Sequence, residues 1–168
     1  DDERIEWMVL ENHGFGIAVS TGRNRNIKKH ELLGTEAVCL LPVSHPLAGN
    51  EVIFPKDLVG ENFISYFEGS IFKNDIDKAF NTAKVRRLTR YEGKTTGAII
   101  GMVGAGLGVS IIDSGFGAGS FDPRCIAIPF KPAIPYTAEL LWSTQRDLSA
   151  IQNEFLNMVR EEFGDLDI

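Results

Sequence analysis

Two short polar turns hold the side chains whose types and spacing suit the binding of a small molecule. The first turn covers residues 65–70 (Ser-Tyr-Phe-Glu-Gly-Ser) and the second covers residues 93–96 (Gly-Lys-Thr-Thr). Each turn follows a predicted strand and precedes a predicted helix, the position where α/β proteins bind their ligands. The candidate ligand-binding residues are Ser65, Tyr66, Phe67, Glu68, Gly93, Thr95 and Thr96, together with Ser20 and Asp113.

These turns are suited to bind a carboxylate. A helix start presents backbone N–H groups and a partial positive charge, and nearby hydroxyls add further donors. Glu68, which follows the aromatic Phe67, indicates either compensation of the helix dipole or a cationic group on the ligand. Alternatively, Thr95, Thr96 and Ser70 cap their own helices. Both interpretations can hold together.

The sequence lacks the signatures of an enzyme or of a bound cofactor. The glycine-rich run 104–108 follows a predicted helix and precedes a predicted strand, the reverse of a dinucleotide-binding motif. Ser110 lacks the second glycine of a nucleophile elbow, and the three histidines have no metal-ligand spacing. We expect His45 to have a structural role in a turn, and Asp75 and Asp77 to form a solvated helix face. The sequence thus predicts no catalytic residue, no metal and no cofactor.

Strands and helices alternate along the chain, which predicts a mostly parallel α/β sheet with crossover connections. Strands are predicted over 15–19, 37–43, 63–66, 85–91, 109–112, 125–130 and 136–142, and helices over 70–83, 98–103 and 149–164. The polar stretch 23–29 predicts a surface loop, and the prolines in 131–135 exclude regular structure there. Because the chain begins inside an apparent helix, we expect that a preceding part is missing.

The glycines after the second predicted helix fit a left-handed cap. The last helix carries the strongest signals. Ser149 and Gln152 form a capping box, and Gly164 ends the helix. Its apolar residues recur every four positions and are predicted to share one face: Ile151, Phe155, Val159 and Phe163.

Charge and composition exclude several classes of protein. With 17 basic and 23 acidic side chains the net charge is −6, and the basic cluster Arg86, Arg87 and Arg90 is expected on the exposed face of a strand. The chain is therefore not expected to bind DNA by itself. Cys39 and Cys125 are predicted to be free thiols. No apolar run spans a membrane and no export signal opens the chain, so a cytoplasmic location is expected.

A string of motifs from residue 37 onward resembles the effector-binding domain of LysR-type transcriptional regulators. The motifs are Cys-Leu-Leu-Pro at 39–42, His-Pro-Leu-Ala at 45–48, Asp-Leu at 57–58 before Phe-Ile at 63–64, Met-Val-Gly-Ala-Gly-Leu-Gly-Val-Ser at 102–110, and Leu148 to Phe155. They keep the family's order and spacing over about 130 residues. Residues 91–113 and 130–135 look similar to members that sense amino acids or opines.

The resemblance implies a two-lobed α/β fold of the type II periplasmic-binding-protein kind, with Rossmann-like lobes joined by two crossover strands. Lobe I would comprise residues 1–43 and 130–168, and lobe II residues 44–129. A small carboxylate effector, with a cationic group if Glu68 faces it, would bind between the lobes. The family also implies a homodimer or homotetramer and promoter DNA bound through a winged helix-turn-helix absent from this chain. A solute-binding protein for transport is the alternative.

Overall fold

The chain forms two compact units, one of Asp1–Gly34 with Thr137–Ile168 and one of Thr35–Tyr136. The computed structural model describes residues 2–12, 14–19, 24–114, 122–145 and 147–164. The helices are α1 (Asp2–Asn12), α2 (Ile71–Thr82), α3 (Thr96–Gly104) and α4 (Ala150–Phe163). The strands are β1 (Phe15–Ala18), β2 (Ile27–Pro42), β3 (Asn62–Tyr66), β4 (Leu88–Gly93), β5 (Ser110–Asp113), β6 (Cys125–Pro129) and β7 (Pro135–Ser143). In this described part, no helix has the length and apolarity to cross a membrane.

The first unit places helices α1 and α4 beside the strand pair β1–β7. β1 pairs with β7 in antiparallel register, with Phe15 opposite Trp142. The capping box predicted at the start of α4 is present, since the Ser149 hydroxyl accepts from the Gln152 N–H and the Gln152 side chain accepts from the Ser149 N–H. Gly164, with a φ of 95°, ends the helix as predicted.

The buried face of α4 agrees only in part with the predicted one, because Val159 is buried and the Phe155 ring lies 4.9 Å from the Phe15 ring, but the other two predicted residues are exposed. Ile151 is 83% exposed and Phe163 is 47% exposed. The buried residues of α4 are Leu156 and Val159, which pack in one cluster with Leu140 and Trp142 of β7. At about 100° per residue, Ile151 lies about 140° around the helix from Leu156 and faces solvent. Phe163 is the last residue of α4 and is exposed at the helix end.

The second unit is built around parallel pairing of β3 with β4. Single parallel bridges add Val109 beside Phe63 and Phe130 beside Ile53. β2 pairs in antiparallel register with β5 and β6. The largest fully buried side chains all belong to this unit: Phe63, Phe80, Phe130, Leu40, Leu41, Ile53, Leu58, Ile64, Ile76, Ile99, Ile111 and Ile112.

Two sequence-based expectations about the strands are wrong. A mostly parallel sheet was predicted. The pairings of β1 with β7 and of β2 with β5 and β6 are instead antiparallel. The loop predicted over 23–29 is strand from Ile27 onward. Ile27 is buried and Lys29 forms an ion pair with Glu6 at 3.0 Å, so this polar stretch is held by partners distant in sequence.

Several local predictions are confirmed. Gly106 follows α3 with a φ of 76°, the left-handed conformation that glycine adopts freely at a helix end. Cys39 and Cys125 are free and buried. His45 has the structural role expected: its Nδ1 accepts from the Leu47 N–H at 3.2 Å and its Nε2 lies 3.3 Å from a Glu61 carboxylate oxygen.

Candidate functional site

The two polar turns meet at one edge of the β3–β4 pair. Ser65 and Tyr66 end β3 and pair with Glu92 and Gly93 at the end of β4. The Phe67 N–H donates to the Gly93 carbonyl at 3.2 Å, which ties the turns together. Helix α2 follows the first turn and helix α3 follows the second. The edge predicted from the sequence therefore exists, and most of the candidate residues surround it.

Gly93 allows helix α3 to approach this edge closely. A Cβ atom at position 93 would lie 2.4 Å from a side-chain carbon of Ile99, which is itself fully buried. Any larger residue would push α3 away from the strand end. Gly93 is thus required for the packing of α3, and it contributes only backbone groups to the site.

A hydrogen-bonded chain of three side chains forms the floor of the site. The Tyr66 hydroxyl lies 2.9 Å from Thr96 Oγ1, which donates to Asp113 Oδ2 at 3.0 Å. Since a threonine hydroxyl has one proton, the Tyr66 hydroxyl is the donor to Thr96. Burial raises the pKa of the Tyr66 phenol above its ordinary value, so this group stays protonated. The candidates Tyr66, Thr96 and Asp113 are therefore brought together and joined to one another.

The two helix starts differ in how they are capped. The Thr95 hydroxyl accepts from the Ala98 N–H at 3.2 Å, whereas Ser70 makes no side-chain cap on α2. The expectation that Thr95 caps its helix is confirmed. The same expectation is wrong for Ser70 and for Thr96, whose hydroxyl bonds instead to the floor of the site. The N–H groups of Thr96 and Gly97 have no acceptor within the described part of the chain.

Glu68 lies at the exposed rim of the site and is ion-paired within the chain. Its side chain is 81% exposed, and Lys73 Nζ lies 2.9 Å from one carboxylate oxygen. Phe67 beside it is half-buried. Lys73 also contacts the Asp77 carboxylate at 2.8 Å, so one lysine joins two acidic groups. A cationic group on a ligand would have to share Glu68 with Lys73.

Lys73 is the residue near this site that sequence reasoning missed. The signal was available, because Lys73 and Asp77 are four apart on a predicted helix and such pairs face each other. Its position in the first turn of α2 also places it close to Glu68. The predicted solvated face of that helix is accordingly wrong for Asp77, which binds Lys73 and Arg87.

Arg87 is not on an exposed strand face as predicted. It precedes β4, only 11% of its side chain is exposed, and it pairs with Asp77. Its guanidinium carbon lies 4.7 Å from the ring centre of Phe63 and 4.8 Å from that of Phe80. Burial lowers the pKa of Arg87. Arg86 and Arg90 are exposed as expected.

The remaining candidate, Ser20, lies outside the described residues. Among the residues that the structure does describe, no group of His, Cys, Asp and Glu could hold a metal ion. The described site offers backbone N–H donors at two helix starts, the hydroxyl of Thr95, the ring of Phe67 and the carboxylate of Glu68. Such donors suit an anionic oxygen, and no group among them is arranged as a nucleophile with a base.

An α/β chain with polar residues at the carboxyl ends of its strands has the form of a ligand-binding domain. The family model described as the LysR substrate binding domain matches residues 1–164. The chain belongs to this family. The resemblance found in the motifs of the sequence is thereby confirmed, and the fold is the two-lobed, periplasmic-binding-protein-like α/β class that it implied.

Curated relatives and solved structures agree with this assignment. The transcriptional activator protein LysR of Escherichia coli K12 is 29% identical over 150 residues, covering 89% of this chain and 48% of that protein. The regulatory protein NocR of Agrobacterium tumefaciens T37 is 27% identical over 152 residues, covering 90% of this chain and 50% of that protein. The chain therefore spans about half the length of these relatives.

Solved regulatory domains share the fold at low identity. The regulatory domain of CcmR from Synechocystis PCC6803, in complex with 2-PG, superposes with a TM-score of 0.81 at 20% identity, covering 98% of this chain and 80% of that chain. The effector binding domain of QuiR, in complex with shikimate, gives a TM-score of 0.75 at 18% identity, covering 91% and 73% of the two chains.

Proposed function

We propose that this chain is the effector-sensing regulatory domain of a LysR-type transcriptional regulator and that it is not an enzyme. The observation that carries the proposal is a family match over residues 1–164, combined with N–H groups at the start of α3 that have no acceptor among the described residues. Relatives named as a transcriptional activator and as a regulatory protein favour regulation over solute transport.

The effector that this edge suits is a small carboxylate. Its carboxylate accepts from the N–H groups at the start of α3 and from the Thr95 hydroxyl, and Phe67 packs against its carbon atoms. Glu68 faces a cationic group, which favours an amino acid or an opine. CcmR and QuiR, fold neighbours of this chain, were solved with the small molecules 2-PG and shikimate.

The candidate residues divide into two roles in this proposal. Tyr66, Thr96, Asp113 and Gly93 form and support the floor, because their polar groups already bond to one another or provide backbone. The candidates with accessible groups that contact the effector in this proposal are Phe67, Glu68 and Thr95, whereas Ser65 is only 2% exposed and supports the end of β3. The assignment of Ser20 to the site stays a prediction.

The partners of the intact protein follow from the family. We propose that it binds promoter DNA through a winged helix-turn-helix outside this chain, assembles as a homodimer or homotetramer, and acts in the cytoplasm. The lobe limits of 1–43 with 130–168 and 44–129 remain a proposal for the intact domain. In this proposal the effector binds one conformation of the domain more tightly than the other. Only this difference in the effector's affinity for the two conformations can alter DNA binding.

A thermal-shift screen of the full-length regulator tests the function. A panel of amino acids and opines is compared with matched amines that lack the carboxylate. We expect one or more carboxylates to raise the melting temperature in proportion to the logarithm of concentration, because a ligand that binds only the folded state stabilises it. A Thr95→Ala variant should show a smaller shift. If no carboxylate shifts the wild-type protein, the proposed effector class is wrong.

A further inference from the structure

A second groove lies beside the C-terminal half of α2, separate from the proposed effector site. It has a volume of about 330 Å³ and lies between one face of α2 and residues 132–135. We name it the proline groove, after its Pro-Ala-Ile-Pro wall. Volumes from about 300 Å³ upward are typical of small-molecule sites. On α2 the groove is lined by residues from Asp75 to Thr82, beyond the helix start at residue 71 that borders the effector site. None of the residues that line the groove is a candidate effector-site residue.

The wall of the proline groove is apolar and anchored. Ile134 is buried, and its carbonyl accepts from the Ala37 N–H at 2.9 Å. The next strand is held by a hydrogen bond from the Thr35 hydroxyl to the Tyr136 carbonyl at 3.3 Å. Two prolines within four residues fix the backbone further. A wall that is rigid before binding loses little conformational freedom when a ligand arrives.

The helix side of the groove presents one negative and one positive group. Asp75 and Lys78 are three apart on α2 and both line the groove. Residues at this spacing are neighbours on a helix surface, yet within the described part of the chain neither side chain makes an ion pair or a hydrogen bond. Their neighbours on the helix, Lys73 and Asp77, are both ion-paired. Two opposite charges above an apolar wall are complementary to a ligand with both charges.

We propose that the proline groove binds a small zwitterion, namely an amino acid with a small apolar side chain. Its ammonium group pairs with Asp75, and its carboxylate pairs with Lys78 and accepts from the Thr82 hydroxyl. Its side chain lies on Ala79 and residues 132–135. The site is additional to the proposed effector site and does not depend on it.

Titration of the ¹⁵N-labelled protein with L-alanine and L-valine, followed by NMR, tests this proposal. We expect saturable shifts of the amide signals of Ala79, Thr82 and Ala133. Asp75→Asn and Lys78→Met should each weaken binding about fivefold, the effect expected for loss of one exposed ion pair. Glu161→Gln, which removes an exposed carboxylate from α4, is the matched control and should leave the affinity unchanged.

Each alternative result overturns the proposal. Acetate and ethylamine, which carry one charge each, should produce no saturable shift at these amides; equal shifts would exclude recognition of a zwitterion. Shifts confined to residues 65–70 and 93–97 would place the probe in the effector site, which would support the proposed function and exclude this groove. Shifts of the groove signals with protein concentration alone would show that a second copy of the chain covers it.

Discussion

At the scale of single residues, the site depends on the hydroxyl of Thr96. It joins three elements, because it accepts from Tyr66 of β3 and donates to Asp113 of β5 while standing at the start of α3. Buried polar groups are costly unless they are hydrogen-bonded, and this chain of bonds satisfies them. The contacts left for a ligand are therefore the outer groups, Thr95 and Glu68.

The first prediction concerns this hydroxyl. Thr96→Val keeps the shape of the side chain but removes the acceptor of Tyr66 and one donor to Asp113. We expect a loss of about 1 to 3 kcal/mol in the free energy of unfolding, measured by urea denaturation. Thr89→Val, at an exposed position of β4, should change it little. Equal stability of the two variants would show that the chain of bonds contributes nothing.

The second prediction concerns Glu68 and is measured by calorimetry on the full regulator. If Glu68 faces a cationic group of the effector, Glu68→Gln should weaken that effector about fivefold, because an exposed ion pair contributes up to about 1 kcal/mol. Lys73→Met, which removes the competing internal cation, should strengthen the same effector. Unchanged affinity in both variants would mean that Glu68 serves only its pair with Lys73.

The third prediction concerns the two thiols. Burial raises the pKa of Cys39 and of Cys125 above the ordinary thiol value, so the reactive thiolate is scarce in the folded protein. We expect a thiol reagent at pH 8 to leave both unmodified in the native protein and to label two thiols per chain in urea. A Thr89→Cys variant supplies an exposed thiol and should add one fast reaction. Rapid labelling of the unmodified protein would contradict the burial.

At the scale of elements, helices whose ends are marked by nearby residues in the sequence were predicted well. α2 and α3 were predicted within two residues of their limits, because apolar periodicity and flanking glycines are local properties. Burial of α4 depends on where β7 lies, so the same periodicity predicted Val159 correctly but missed Leu156 and wrongly included Ile151 and Phe163. Polar residues at the start of β2 gave no strand signal, since their pairing partners are far away in sequence.

The fourth prediction compares the starts of α2 and α3. Thr95 caps α3 through its hydroxyl, whereas Ser70 makes no cap on α2. Thr95→Ala should therefore lower the free energy of unfolding by about 1 kcal/mol, and Ser70→Ala should change it little. Urea denaturation of both variants measures the difference. A larger loss in Ser70→Ala would reverse the assignment of the caps.

At the scale of the whole molecule, the family motifs predicted the fold class. The tendency of α/β proteins to bind ligands at the carboxyl ends of their strands predicted the edge that holds the site. Sequence reasoning could not show how the polar groups there divide between floor and rim, because Tyr66, Thr96 and Asp113 lie on three separate elements. Nor could it place Arg87 between Phe63 and Phe80, since a buried guanidinium depends on Asp77 of a helix packed nearby.

The fifth prediction follows from the charge of the whole chain. A net charge of −6 repels phosphates, and Arg87 and Arg124 are already paired with aspartates. DNA affinity comes largely from cations on phosphates and falls with added salt. Fluorescence anisotropy with promoter DNA at about 50 mM salt, where phosphate contacts are strong, should therefore show no binding by this chain. The full-length regulator should bind the same DNA in a salt-dependent way. Salt-dependent binding by the isolated chain would reveal a basic surface formed by Arg86 and Arg90 and would contradict the assignment of DNA binding to a separate domain.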